Sequence, residues 1–182
     1  MRIQLSSQKF YWSNFVWFQA IWFYAVIYTG QAIPLMLLSL GLHFVLSPTR
    51  FSDLINVVTI MPVGCLGDYL LTYMGIFTFD EAFFIPVWLI LLWGHFAVTL
   101  NHGLNWLAKL PLYLCSLFGA IFGALSYYGG AKLGAVSLDS HLMLSLFALA
   151  VIWASLLPVY TLLASLNRMC GHDEIKGSSH SN

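Results

Sequence analysis

Asp68, His95, Thr99 and His102 combine proton-handling or hydrogen-bonding chemistry with an apolar setting. Asp68 is the one formal charge in a run that is otherwise apolar from near Leu54 past Tyr73, within Met61-Pro-Val-Gly-Cys-Leu-Gly-Asp68-Tyr-Leu-Leu-Thr72. Such a run is long enough to cross a bilayer, where a carboxylate costs roughly 2.5–3.5 kcal/mol on insertion scales. A polar partner must offset that cost. At ~100° per residue, Gly64, Asp68, Thr72 and Gly75 share one helix face, and the small residues let a neighbour approach closely. In the next apolar segment Trp88, Leu92, His95, Thr99, His102 and Trp106 fall within an arc of about 80°, bordered by Asn101 and Asn105. Imidazoles facing a carboxylate can move a proton or hold a polar ligand. The two depths differ by roughly 6 Å, so an Asp68–His95 pair is expected. The bland alternative is a histidine satisfied by a backbone carbonyl and asparagines that cap helix ends.

A secondary polar group is expected near the opposite interface, where His102 would approach Asn14, Gln19 and His43. Bringing Asp68, His95 and His102 within ~2 Å of one ion is opposed by their spread in depth, so no metal is expected there. Cys170-Gly-His172 with His180 offers too few ligands to signal a metal site. No nucleophile motif or catalytic carboxylate pair appears, and no cofactor is expected.

The elements that must position these groups follow from composition. Of 182 residues, 60% are hydrophobic and 8% charged, and the mean hydropathy is +0.83; these values exclude an ordinary water-soluble domain. Net charge is zero without a basic block, so nucleic acid is not an expected partner. Apolar runs at 10–29, 33–47, 53–76, 83–106, 110–129 and 140–166 predict an all-α integral membrane protein. Its fold class is a six-helix bundle built from helical hairpins. Residues 1–9 precede this single domain at 10–166, and 167–182 read as a disordered polar tail. The first run is too long and too rich in Trp and Tyr for a cleaved signal. With both termini cytoplasmic, Arg2, Lys9, Arg50, Lys109, Arg168 and Lys176 lie inside and only Lys132 outside, the orientation the positive-inside rule favours. Asp80, Glu81 and Asp139 then fall in outer loops. Tryptophans and tyrosines read as interface anchors and packing groups.

An offset of 59 residues aligns Gly64 with Gly123, Gly75 with Gly134, Thr78 with Ser137 and Asp80 with Asp139, a parallel repeat of two hairpins. Where the repeat breaks, Tyr127 stands opposite Asp68, and Lys132 has no charged counterpart. Tyr127 and Lys132 therefore join Asp68, His95, Thr99, Asn101, His102 and Asn105 as candidate ligand-binding residues. Cys115, Gly119, Gly123 and Tyr127 form a ridge of mostly small residues, a helix-packing surface. The spacing of the three cysteines supports no disulfide framework.

The segments Asn14-Phe-Val-Trp-Phe-Gln19-Ala-Ile-Trp22, Leu46-Ser-Pro48, Gly64 to Asp68, Thr99-Leu-Asn-His102 and Tyr127-Tyr-Gly-Gly-Ala-Lys-Leu-Gly134 carry a resemblance. Over residues 10 to 166 the chain resembles an uncharacterised bacterial inner-membrane family, domain of unknown function 2878. That resemblance implies a Gram-negative cytoplasmic membrane and a genomic neighbourhood of lipid-modifying and oxidative-stress genes. It carries over no catalytic residue.

Three functions fit the residues. The first is a polar intramembrane pocket that binds or transports a small polar or amphipathic molecule, with the bilayer and a membrane partner or second copy as its company. The second is a lipid-modifying enzyme in which His102 or His95 moves a proton and Asp68 orients it. The third is a scaffold that recruits a membrane partner through its Gly-rich fifth helix.

Overall fold

The computed structural model describes residues 7–79, 85–138 and 141–179, with side chains from Phe10 to Met169 within those bounds. Asp80, Glu81, Asp139 and His180 lie outside the described residues, as do the side chains of Cys170 and His172.

Helix α1 (Ser7–Tyr28) passes through a 3-10 turn, Thr29–Ala32, into α2 (Ile33–Leu46). Pro34 sits in the first turn of α2, where an absent N–H costs nothing. Thr29 at φ +44° helps reverse the chain, and Trp17 Nε1 donates to Ser39 Oγ at 2.7 Å, so the two helices run antiparallel. Helix α3 (Arg50–Tyr73) holds Pro62 within it. Helix α4 (Val87–Thr99) follows, then a short 3-10 helix, Asn105–Lys109. The next rod is α5 (Leu112–Phe118), a π-helical turn Gly119–Gly123, and α6 (Ala124–Lys132). Helix α7 (Leu142–Ser179) completes the order and continues through a segment expected to be a disordered tail.

The usual solvent preference is reversed. Trp12, Leu38, Leu112, Met143 and Phe147 are exposed, while Asn14, Ser39, Asp53, Asn56, Asp68 and His102 are buried. A surface of that kind suits lipid, and polar groups inside it must find one another. Among the described residues, four helical stretches are long and apolar enough to cross a membrane: Phe10–Leu46, Arg50–Tyr73, Leu112–Lys132 and Leu142–Met169. Val87–Thr99 is apolar but shorter. Among the described residues the fold is all-α apart from one two-residue strand pair.

One expectation is corrected here. The fourth run was expected to be helical from 83 to 106, with His95, Thr99 and His102 on one stripe. Helix α4 instead ends at Thr99, and Asn101 and His102 lie in a turn closed by Leu104 N–H to Thr99 O at 2.9 Å. The common stripe therefore stops at Thr99, and the turn aims Asn101 and His102 independently.

The 59-residue repeat has a structural counterpart. Gly75 and Gly134 both adopt left-handed φ, +73° and +82°, a conformation that suits glycine because it has no Cβ. They lead into strands β1 (Phe77–Thr78) and β2 (Ser137–Leu138), which pair antiparallel with Thr78 opposite its own equivalent, Ser137. A Cβ on Gly64 would come within 2.3 Å of the Trp93 ring, and one on Gly123 within 2.2 Å of the Trp153 ring. Those two indoles stack on each other, centroids 5.5 Å apart and planes 5° apart. The α3–α4 and α5–α7 hairpins are thus related about an axis between the two tryptophans.

Candidate functional site

Three features could carry function: a carboxylate between the repeats, a carboxylate at the end of the bundle where α2 meets α3, and an apolar cavity on one flank.

Asp68 is buried at the repeat axis. Trp93 Nε1 donates to one carboxylate oxygen at 2.7 Å, and the Tyr127 hydroxyl donates to the other. The expected Asp68–His95 pair does not form. His95 Nδ1 donates to Leu91 O at 2.8 Å, so its Nε2 accepts from Ser39 Oγ at 3.0 Å while Ser39 accepts from Trp17. This chain of bonds fixes the neutral tautomer and ties α4 to the α1–α2 hairpin. Thr99 is likewise turned inward, its hydroxyl bonded to His95 O of its own helix. Lys132 stands over the Tyr128 ring, 5.4 Å from its centroid, rather than reaching toward Asp68. The buried hydroxyls of Thr72 and Tyr160 have no hydrogen-bond partner among the described residues.

Asp53 was not a candidate in the sequence, yet it gathers a network of polar partners. Fully buried, it accepts His43 Nε2 at 3.0 Å, His102 Nε2 at 3.0 Å to both oxygens, Asn101 Nδ2 at 2.8 Å, and the Ser47 hydroxyl. Asn14 belongs to the same cluster: its amide lies 3.5 Å from His43 Nδ1 and accepts Gly103 N–H at 3.2 Å. The expected meeting of His102 with Asn14 and His43 is thus present, organised around an acid that the expectation lacked. Gln19 is absent from it and lines the cavity instead. Asn105 begins the 3-10 helix beyond the cluster. Arg168 closes the rim, donating to Leu100 O at 3.1 Å and Asn101 Oδ1 at 3.2 Å. Beside it, Asn167 bonds Asn56 Oδ1 at 2.8 Å, and Asn56 in turn donates to Ala97 O at 3.1 Å.

The cavity, about 560 Å³, lies between α1 and the α5–α6 rod with α4 and α7 as its floor. About half of the residues in its walls are aromatic, among them Phe18, Trp22, Trp88, Phe96, Phe122 and Trp153. Phe23, Phe122 and Leu125 line it and are also about half exposed, so the mouth opens on the flank of the bundle rather than at an end. Trp22 Nε1 donates to Ser126 Oγ at 3.1 Å, bridging α1 and α6 across the cavity. Its position follows from the repeat. Helix α3 packs along α7, whereas the equivalent contact of α4 with α5–α6 is opened, and the cavity occupies that gap. Asp68, His95, Thr99 and His102 do not line it. Tyr127 and Trp93 do, so Asp68 stands one bond behind the wall.

A family model for a protein of unknown function, DUF2878, matches residues 11–159. The chain belongs to the DUF2878 family. That span takes in nearly all of α1 through the first half of α7, so Asp68 and Asp53 with their direct hydrogen-bond partners and the lining of the cavity lie within the DUF2878 region, while Asn167 and Arg168 lie beyond it. Comparison with curated proteins and with solved structures gave no match.

Proposed function

We propose that this DUF2878 protein is a multi-pass membrane protein whose flank cavity takes up the hydrocarbon part of an amphipathic, lipid-like molecule from the bilayer. The observation that carries the reading is a cavity of about 560 Å³ with aromatic walls and a mouth on the apolar flank. That volume is within the roughly 300–1,000 Å³ of small-molecule sites, and a sideways mouth favours a ligand already dissolved in lipid. Of the small polar or amphipathic ligands expected, the apolar cavity favours the amphipathic class. Within the same reading the chain crosses six times: the α1–α2 hairpin supplies two crossings, and α4 is extended by its terminal turns. Arg50, Lys109 and Arg168 then share the cytoplasmic end with the Asp53 cluster, and Lys132 lies at the other, which supports an inner-membrane orientation.

The test is lipid analysis of detergent-purified protein by native mass spectrometry, for the wild type and Leu125→Trp. Leu125 lines the mouth and is half exposed, so tryptophan there fills the opening without crowding the interior. One lipid class enriched over the bulk membrane extract, and lost in Leu125→Trp at unchanged thermal stability, is the expected result. Bulk composition in both proteins would overturn the reading.

A further inference from the structure

We propose that His43, Asp53 and His102 form a binding site for a divalent transition-metal ion at the end of the bundle where α2, α3 and the turn after α4 converge. The site is separate from the flank cavity and does not depend on it.

Geometry comes first. His43 Nε2, His102 Nε2 and the Asp53 carboxylate come from three different segments, all three residues are buried, and their ligand atoms lie within 4.8 Å of one another. Each imidazole nitrogen is 3.0 Å from Asp53 Oδ2. Ligand atoms bound at ~2.0–2.1 Å in a tetrahedron stand about 3.3 Å apart, so the two nitrogen–carboxylate distances need to change by only a few tenths of an ångström, while the two imidazole nitrogens, within 4.8 Å of each other, close around the ion. Two imidazoles and one carboxylate suit zinc or ferrous iron better than calcium or magnesium, which prefer oxygen alone.

Charge is the second argument. Asp53 is wholly buried, and with both imidazoles neutral none of the groups that bond its carboxylate carries a positive charge, an expensive arrangement in a low-dielectric interior. The neighbouring guanidinium does not bond the carboxylate; Arg168 gives its hydrogen bonds to Leu100 O, Asn101 Oδ1 and Ser165 Oγ. A divalent ion would place positive charge directly on the carboxylate.

Third is the surrounding support. Ligating imidazoles and carboxylates are ordinarily held by outer contacts. Here Asn101 Nδ2 and the Ser47 hydroxyl fix the carboxylate, while the Asn14 amide, whose nitrogen lies 3.5 Å from His43 Nδ1, turns over to accept the ring proton from Nδ1 when Nε2 binds the ion. His102 Nδ1 is buried without a hydrogen-bond partner among the described residues. No donor opposes the shift of the ring proton from Nε2 to Nδ1 when Nε2 binds the ion. Gly103 lets α1 close over the cluster, because a Cβ there would lie 2.7 Å from the Phe15 backbone.

The experiment uses the full chain in detergent, stripped with chelator and titrated with Co²⁺, which reports its own coordination through visible ligand-field absorption. The wild type is expected to bind about one Co²⁺ per chain with a spectrum of mixed nitrogen and oxygen ligation, and Zn²⁺ should displace it and raise the thermal midpoint. Asp53→Asn and His102→Gln should abolish the absorption, Asn101→Ala should weaken binding by about 10-fold, and Asp68→Asn should bind as the wild type does. Wild-type protein that shows no Co²⁺ absorption, or Asp53→Asn that binds as well as wild type, overturns the site. Should the ligand variants not fold, the wild-type spectrum alone decides: only ligation by two imidazoles upholds the proposal. Lipid enrichment in the same preparation reports on the cavity independently.

Discussion

Tyr127 donates its hydroxyl to Asp68, the residue that holds the equivalent place in the other half of the repeat, 59 positions earlier. The point where the two halves differ in chemistry is thus the point where they bond to each other. Trp93 completes the arrangement at 2.7 Å, so an acid buried among apolar helices is satisfied by one donor from its own hairpin and one from the other.

Replacing Asp68 by Leu leaves the Trp93 N–H and the Tyr127 O–H without their acceptor, at about 1–3 kcal/mol each. Asp68→Asn keeps an acceptor and should be distinctly milder, with Tyr127→Phe also milder than the leucine variant. Thermal unfolding in detergent ranks the three. Equal midpoints would mean that these bonds add nothing to stability.

The glycines divide into two groups. Gly64→Ala and Gly123→Ala place a methyl within 2.3 Å and 2.2 Å of an indole ring and should destabilise by about 1–3 kcal/mol or more through overpacking. Gly41→Ala and Gly67→Ala meet nothing within 4 Å and should stay within about 0.5 kcal/mol of wild type. The same unfolding assay checks the contrast, and a reversed order would refute the close approach of α3 to α4 and of α5–α6 to α7.

Asp53→Ala strips the acceptor from His43, Ser47, Asn101 and His102 together. Leaving four buried donors without it should cost about 3 kcal/mol or more, beyond the effect of any single donor variant. Double-mutant cycles between Asp53 and each partner should show coupling of about 0.5–3 kcal/mol, and additive losses would contradict a shared hub.

Trp22→Phe removes the bond to Ser126 that spans the cavity. Stability should fall by only about 0.5–1.5 kcal/mol, while a bound lipid should exchange faster because α1 and α6 are no longer tied. Release of a spin-labelled lipid from wild type and variant measures this, and unchanged release would show that the bridge does not gate the cavity.

Much of the architecture was legible before folding. Apolar runs located all the long helices, and the spacing of Gly64, Gly123, Gly75 and Gly134 disclosed a repeat whose glycines sit under tryptophans or at left-handed turns. The packing role of Cys115, Gly119 and Gly123 was also visible, since all three are buried and a Cβ on either glycine would collide with Trp153. Asp53 was not legible. An acid just after Ser47-Pro-Thr-Arg50 resembles an ordinary helix-start residue favoured by the dipole. It becomes interior only when α2 and the turn after α4 fold over it. The one signal available was a carboxylate six residues beyond Ser47 at the mouth of an apolar run.

What the chain of residues determined by itself is local: which segments suit lipid and which helix face is small or polar. Those properties depend on side-chain hydropathy and a period of 3.6 residues, both of which act within a turn or two. Partner choice was decided by tertiary structure. His95 found Ser39 and Asp68 found Trp93 because the rotation and depth of each helix are set by contacts between residues dozens of positions apart. The cavity was equally beyond local reading, since it exists only where one of two equivalent helix contacts has been opened.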